Sequence, residues 1–134
     1  MWLLPNEGVP PPSEEDILSY LSRSENLHDW AVHGWQKIYE AALALGHLHD
    51  LRVYHANLKP ANVRIGSDGR AKLVGFELSE SLDRLNYTES HKPDEAFRWQ
   101  APFLLNGSKP SLRCDVYSLA MCIISLWDPN LLGD

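Results

Sequence analysis

The chain has 134 residues, of which 44% are hydrophobic, and this apolar content is enough for one globular domain with its own core. Residues 1–29 hold six acids against Arg23 alone, and residues 30–134 hold twelve acids against eleven bases, for a formal charge of −6. The body of the chain is thus nearly neutral and has no basic stripe, so we expect no nucleic-acid binding. The longest apolar run, around 121–127, is far shorter than the ~20 residues of a membrane span, which predicts no membrane insertion and an intracellular, cytoplasmic location.

The N-terminal segment is rich in proline, since four of the nine prolines lie in residues 1–12. Proline interrupts helices, so we interpret residues 1–12 as the end of a strand followed by a linker. Ser13 is a favourable N-cap residue, and Asp16 stands three positions later as a capping-box partner. The sequence therefore predicts a short helix over Glu14–Ser22 that buries Ile17, Leu18 and Leu21.

A longer helix is predicted after Asp29, which can cap it. Apolar residues recur there at spacings of three and four, which indicates one buried face: Trp35, Ile38, Ala42, Leu45 and Leu48. Gly34 and Gly46 lie inside this helix. Each either marks a close approach of another backbone or is a glycine that the helix tolerates at some cost in stability. Four histidines have no cysteine or carboxylate framework at zinc spacing, so we predict no metal site and ordinary surface or helix positions for them: His28, His33, His47 and His49.

The middle of the chain alternates short apolar runs with turn residues. Val53–Tyr54 predicts a brief extended piece, and Val63–Ile65, Gly66–Gly69 and Ala71–Val74 predict strand, turn and strand. From residue 75 to residue 106 no period is sustained, and a loop of that length is typically functional or mobile.

The last predicted helix is apolar nearly all round, which predicts burial on all sides. We expect one face to carry Val116, Leu119, Ala120, Ile123 and Trp127. Cys114 and Cys122 lie within this pattern, where two buried thiols are favoured over a disulfide. Little sequence remains after Trp127 to cover such a helix, so its exposure predicts self-association.

The stretch between the long helix and the hairpin is the most informative part of the sequence. His55, Leu58, Lys59, Pro60 and Asn62 match the catalytic loop of the protein kinases, which this chain resembles. Two later motifs resemble the tyrosine-kinase and tyrosine-kinase-like branch in particular, and they are Arg98-Trp99-Gln100-Ala101-Pro102 and Asp115-Val116-Tyr117-Ser118. The order of all these pieces is that of the first half of the large kinase lobe.

The resemblance implies a fold that is mainly α-helical with a small β-hairpin (α+β). It implies a partial C-terminal lobe without the N-terminal lobe, since the Gly-rich loop, the strand lysine and its glutamate partner do not occur. Residues 1–12 then correspond to the strand and hinge that join the lobes, and residues 13–134 to an incomplete large lobe. Its parts are a catalytic-loop remnant (55–62), a hairpin (63–74), an activation-segment-like loop (75–103) and a buried-type helix (114–127).

The resemblance also implies the roles of single residues. The base and principal metal-binding aspartates are replaced by Asn57 and Gly75, so no catalytic residue of the pattern is intact, and Ala56 stands where the family has Arg. Lys59 and Asn62 resemble residues that contact phosphate and a metal ion, which leaves weak residual ATP and Mg²⁺ binding as an expectation. His55 and Asp115 resemble residues that brace the loop. Glu77 brings a carboxylate that could replace the lost aspartate only if the loop shifted register.

Three functions stay open from the sequence. The first is a catalytically inactive, pseudokinase-like fragment that binds a protein partner or acts as a scaffold, with no cofactor. The second is a degenerate protein kinase that still transfers phosphate from ATP to Ser/Thr or Tyr. The third is a truncated remnant without function, which the apolar last helix favours.

Overall fold

The computed structural model describes residues 15–76, 79–81, 99–102 and 111–128. Their elements in chain order are β1 (Glu15–Asp16), α1 (Ile17–Leu21), α2 (Leu27–Asp50), β2 (Val53–Tyr54), a 3-10 turn (Pro60–Asn62), β3 (Val63–Ile65), β4 (Ala71–Leu73), β5 (Glu80–Ser81) and α3 (Leu112–Trp127). Helices dominate, and the strands are short. The predicted fold class, mainly α with a small antiparallel sheet, is confirmed.

Two small sheets flank the 3-10 turn. The larger has the order β1-β3-β4 with antiparallel neighbours, and the smaller pairs β2 with β5. The predicted hairpin is confirmed: Val63 pairs with Leu73 and Ile65 with Ala71. Its turn needs a backbone in the left-handed region at Gly69, where φ is 80°, and glycine adopts that conformation without steric cost.

The short helix α1 begins later than predicted. Asp16 is its N-cap, and the Asp16 carboxylate accepts a hydrogen bond from the Ser19 N–H at 2.8 Å. Residues 15 and 16 are extended because they pair with β3, so the predicted start at Glu14 is wrong. Ser13, the predicted cap, lies outside the described residues. Ile17 and Leu21 are buried as predicted, whereas Leu18 is 38% exposed and Tyr20 is buried in its place.

The long helix α2 is confirmed, but its cap is Asn26 rather than Asp29. The Asn26 side chain accepts a hydrogen bond from the Asp29 N–H at 2.8 Å, which satisfies a backbone donor that the helix leaves free. The buried face consists of Gly34, Lys37, Ile38, Ala41 and Leu45. This face keeps Ile38 and Leu45 of the predicted stripe but is rotated about the helix axis away from Trp35. Trp35, which was predicted to be buried, is therefore 54% exposed.

A buried lysine joins α2 to the hairpin. Lys37 is 4% exposed, and its Nζ donates to the Gly69 carbonyl and, at 3.0 Å, to Glu40 Oε1. The same carboxylate oxygen accepts a hydrogen bond from the Ala71 N–H at 3.0 Å. Both charges are therefore paired at the point where the hairpin turn meets the helix, which fixes the tilt of the sheet against α2.

The last helix, α3, begins after Ser111 and is buried on a different face from the one predicted. Its buried residues are Cys114, Asp115, Ser118, Cys122, Ser125 and Leu126, whereas Val116 is 59% exposed. Of the predicted face, Leu119, Ile123 and Trp127 are partly buried against the core. The most deeply buried face was missed because apolar residues surround this helix, so that periodicity could not select it, and because it is partly polar. Both cysteines are free and buried, as predicted.

A single core joins these elements. It takes Ile17 and Leu21 from α1, residues of α2 and of the hairpin, Leu58 from the loop, and Leu126 from α3. Within the described ranges, no helix combines the length and the apolarity that crossing a bilayer would require. The same part of the chain contains no group of three or more histidine, cysteine, aspartate or glutamate side chains that could hold a metal ion.

Candidate functional site: the loop between β2 and the 3-10 turn

The loop from His55 to Lys59 is attached to the start of α3 by one carboxylate. Asp115 is 1% exposed, and its Oδ2 accepts a hydrogen bond from the His55 N–H at 2.6 Å. Its Oδ1 accepts a second from the Ala56 N–H at 3.0 Å. A buried carboxylate that receives two backbone donors is a strong anchor, because charge-assisted hydrogen bonds exceed neutral ones in strength. Asp115 therefore sets where the loop begins.

A histidine from α2 also binds this carboxylate. His49 Nε2 lies 2.9 Å from Asp115 Oδ2, and the His49 side chain is 15% exposed. The sequence predicted His49 to be an ordinary surface or helix residue; it does lie in α2, but its contact with Asp115 was not predicted. No sequence signal pointed to the contact, since the two residues are 66 positions apart and meet only through the packing of α2 against α3.

His55 connects the loop to the chain that follows the hairpin. Its Nδ1 accepts a hydrogen bond from the Asn57 N–H at 3.1 Å, so its Nε2 carries the proton and donates to the Val74 carbonyl at 2.7 Å. The His55 carbonyl accepts a hydrogen bond from Ser79 Oγ at 2.8 Å. The centroid of the His55 ring lies 5.0 Å from the centroid of the Phe76 ring. His55 is fully buried and so holds three separate stretches of chain in register.

The loop is closed at its other end by the Asn62 side chain. Asn62 Nδ2 donates to the Asn57 carbonyl at 2.7 Å, and the Asn62 carbonyl accepts from the Val74 N–H at 3.0 Å. Asn57 thus joins this network through its main chain. The Asn57 Oδ1 atom is buried and has no hydrogen-bond partner among the described residues.

Gly75 lies directly against Asn62. Its φ is 79°, in the left-handed region, and a Cβ atom at this position would stand 2.5 Å from the Asn62 amide carbon and nitrogen. Contacts that short do not occur for real Cβ atoms, so a side chain at position 75 would be strained by the left-handed backbone and would require the end of the Asn62 side chain to shift. The position that the resemblance assigns to the principal metal ligand therefore supplies no side-chain oxygen donor.

The remaining positions of the loop are less tightly bound. Lys59 precedes the 3-10 turn in an extended conformation and is partly exposed, and its side chain forms no hydrogen bond or ion pair with any residue in the described ranges. Ala56 has a φ of 71°, which is costly for a residue with a Cβ. The two Asp115 hydrogen bonds hold Ala56 in that conformation. Glu77 lies outside the described residues.

These distances bring the sequence-selected residues of the loop together. Asp115 and His55 brace its start, Asn62 closes its end, and the Asn57 main chain bonds to both His55 and Asn62. The sequence profile of the protein kinase domain matches residues 11–132. Since the match covers most of the chain, the protein belongs to the protein kinase domain family.

Individual kinases are similar over the same region. The chain is 29% identical to the mitosis inhibitor protein kinase SWE1 of Saccharomyces cerevisiae over 85% of its own length and 14% of that protein. It is 34% identical to the serine/threonine-protein kinase KDX1 of the same organism over 87% of its length and 26% of that protein. It is 35% identical to the proto-oncogene serine/threonine-protein kinase mos of Sus scrofa over 60% of its length and 22% of that protein. The chain thus spans about a quarter or less of the curated relatives it matches.

Proposed function

We propose that this chain is a catalytically inactive protein-kinase-like fragment that acts by binding other proteins. The proposal is carried by one contrast at the loop. The bracing contacts of Asp115, His55 and Asn62 are in place, whereas the two positions that should supply carboxylates hold Asn57 and Gly75. A frame with no acid at either position can present a surface but lacks the groups for phosphoryl transfer.

The first missing group is a base. Asn57 has nearly the shape of aspartate, but its amide has no negative charge and cannot take a proton from a substrate hydroxyl. General-base catalysis typically accelerates a reaction by roughly 10²- to 10⁴-fold, and a site with asparagine at this position lacks that acceleration.

The second missing group is a magnesium ligand. Mg²⁺ prefers carboxylate and water oxygens in octahedral geometry. Gly75 offers no side chain, and the Asn62 amide donates its N–H to the loop, which leaves one neutral oxygen. Neither position therefore supplies a carboxylate for the Mg²⁺ of MgATP. The alternative is weak residual binding of ATP and Mg²⁺ through Lys59 and Asn62.

Thermal melts with and without MgATP test this proposal, since a ligand at a hundred times its Kd adds ~2.7 kcal/mol of stability. We expect no shift. A shift that Lys59→Ala abolishes would revive the nucleotide-binding alternative. In a second assay, the wild-type chain should give no transfer of radiolabel from ATP to a generic protein substrate, because neither Asn57 nor Gly75 supplies a carboxylate. Transfer by the wild-type chain would refute the proposal.

Three finer points are part of the same proposal. The kinship with the tyrosine-kinase-like branch rests on the motifs at 98–102 and 115–118 alone, and two of the relatives above are serine/threonine kinases by name. The intracellular, cytoplasmic location rests on the composition of the chain. A protein partner is favoured because the helices expose large apolar side chains, of which Leu27, Trp35, Tyr39, Leu43 and Val116 are more than half exposed.

A further inference from the structure

The outer surface of α2 carries a row of large apolar side chains. Val32 is 50% exposed, Trp35 54%, Tyr39 64% and Leu43 56%. They follow one another at spacings of three, four and four residues, which places them on one narrow face of a helix, opposite the face that packs on the core. We call these four residues the outer stripe. It extends about 16 Å along the helix at a rise of ~1.5 Å per residue.

The outer stripe contains no charge. Lys37 and Glu40 are the formally charged residues between Val32 and Leu43. Both are turned toward the hairpin, where Lys37 donates to the Gly69 carbonyl and Glu40 accepts from the Ala71 N–H. A partner with a basic or acidic surface would therefore gain nothing on this face, whereas a second uncharged surface would meet no repulsion.

One residue of the outer stripe is held in place before any partner binds. The ring of Trp35 stacks on that of Trp127 at the end of α3, with centroids 4.6 Å apart and planes at 28°. Association normally costs the freedom of each side chain that it immobilises. Because Trp35 is already fixed by Trp127, that cost is reduced at this position.

The order of residues in the outer stripe is nearly symmetric about Lys37. Trp35 and Tyr39 lie two positions on either side of it, and Val32 and Leu43 lie five and six. If a second copy packed antiparallel with its two-fold axis at this level, Trp35 of each copy would face Tyr39 of the other, and Val32 would lie near Leu43. Aromatic pairs of that kind add to the burial energy, and antiparallel helix dipoles attract.

We propose that the outer stripe is a self-association surface through which two copies of this chain pair antiparallel across α2. The inference rests on the proposed protein-binding role and names its partner. It also moves self-association from the last helix, where the sequence predicted it, to α2. A stripe of a few hundred Å² is smaller than the ~800 Å² per partner of a standard interface, so we expect a weak dimer.

Sedimentation velocity from low to high micromolar concentration measures this dimer directly. We expect reversible dimerisation, and we expect Tyr39→Glu to weaken it by about tenfold or more, since a charge would be buried in the interface. Val116→Glu is the matched control, because Val116 is 59% exposed on α3 and lies outside the outer stripe. A monomer at every concentration, or dissociation by Val116→Glu and not by Tyr39→Glu, would overturn the proposal.

Cysteine cross-linking tests the orientation without disturbing the outer stripe. His28 and Gly46 are exposed, lie nine positions on either side of Lys37, and would face each other in the antiparallel pair. A mixture of His28→Cys and Gly46→Cys chains should give a heterodimer that neither variant gives alone. The native thiols do not interfere, because Cys114 is 2% and Cys122 1% exposed. A cross-link between two Gly46→Cys chains would indicate a parallel pair and refute the geometry. Neither result depends on nucleotide, so it stands apart from the test of catalytic inactivity.

Discussion

At the scale of the residue, one carboxylate connects three parts of the chain. Asp115 belongs to α3, binds two N–H groups of the loop, and lies against His49 of α2. A buried charge is stable only when it is paired and fully hydrogen-bonded, and here each carboxylate oxygen has a partner. The position of the loop therefore depends on one side chain more than on the loop's own sequence.

Replacing Asp115 with asparagine should destabilise the fold by about 2–3 kcal/mol. The amide has one acceptor oxygen instead of two, so a buried N–H of His55 or Ala56 loses its partner, and the bond to His49 loses its charge. Chemical denaturation followed by circular dichroism measures the change. Asp50→Asn is the control, since Asp50 is exposed at the end of α2 and its loss should change stability by less than ~0.5 kcal/mol. Equal effects of the two variants would contradict the bracing role.

The buried thiol of Cys122 predicts a loss of stability at alkaline pH. Burial raises the pKa of Cys122 far above its ordinary value of 9.0, so the folded chain keeps the thiol protonated while the unfolded chain ionises. This contribution to stability is complete below pH 9 and is lost as the pH rises further, by about 1.4 kcal/mol between pH 8 and pH 10.

Denaturant titrations at pH 8 and pH 10 measure this loss. Burial also raises the pKa of Tyr20, so Tyr20 contributes to the loss of stability near pH 10. A cysteine variant is therefore needed to isolate the contribution of Cys122. Cys122→Ala should reduce the pH-dependent fall by about 1.4 kcal/mol. If the mutant and the wild-type chain lose the same stability, the assignment to Cys122 is wrong.

At the scale of the element, α2 organises the molecule through its two unlike sides. The inner side packs on α1, the hairpin and α3, and the outer side is the outer stripe. The two internal glycines belong to these different environments. At Gly34 a Cβ would lie 3.0 Å from the Trp127 ring, whereas at Gly46 nothing lies within 4 Å. The close approach that the sequence left open is real at Gly34, although it is made by a side chain, and Gly46 is merely tolerated.

Alanine at these two positions should therefore act in opposite directions. Gly46→Ala should stabilise the chain by about 0.5–1 kcal/mol, because alanine is the better helix former and the space is open. Gly34→Ala gains the same propensity but presses on Trp127, and overpacking of that kind costs about 1–3 kcal/mol. Thermal melts of the two variants side by side give the comparison. Stabilisation by Gly34→Ala would mean that Trp127 moves aside freely.

At the scale of the whole molecule, the core is continuous from α1 to α3, and each element contributes to it. No element described here could bury its apolar face alone. Folding should therefore be one cooperative event that includes the loop, since Leu58 is part of the same core.

The expected result is a single melting transition. Far-ultraviolet circular dichroism reports the helices, and fluorescence reports all five tryptophans. Of these, Trp35 and Trp127 stack on each other where α2 meets α3. The midpoints of the two signals should agree. Separate midpoints would show that α3 unfolds independently, and the absence of any cooperative transition would favour the reading of this chain as a remnant without function.

Some features could be predicted because their causes are local. The periodicity of α2, the turn residues of the hairpin and the spacing of the loop motif are short-range properties, and all three elements exist. Cap positions were less predictable, because Asn26 and Asp16 competed with equally good neighbours and pairing with β3 decided the start of α1. The roles of Asn57 and Gly75 stay predictions, since their identities are read from the sequence and their consequence for chemistry is still to be measured.

The sequence by itself determined the family, the order of the elements and the absence of acids at two loop positions, because each depends on which residue stands at which place along the chain. Only the tertiary structure decided which face of α3 is buried, that His49 reaches Asp115, that a side chain at position 75 would strike Asn62, and that Trp35 faces outward. These features depend on contacts between residues far apart in sequence, and such contacts are determined only when the helices and the sheet pack together.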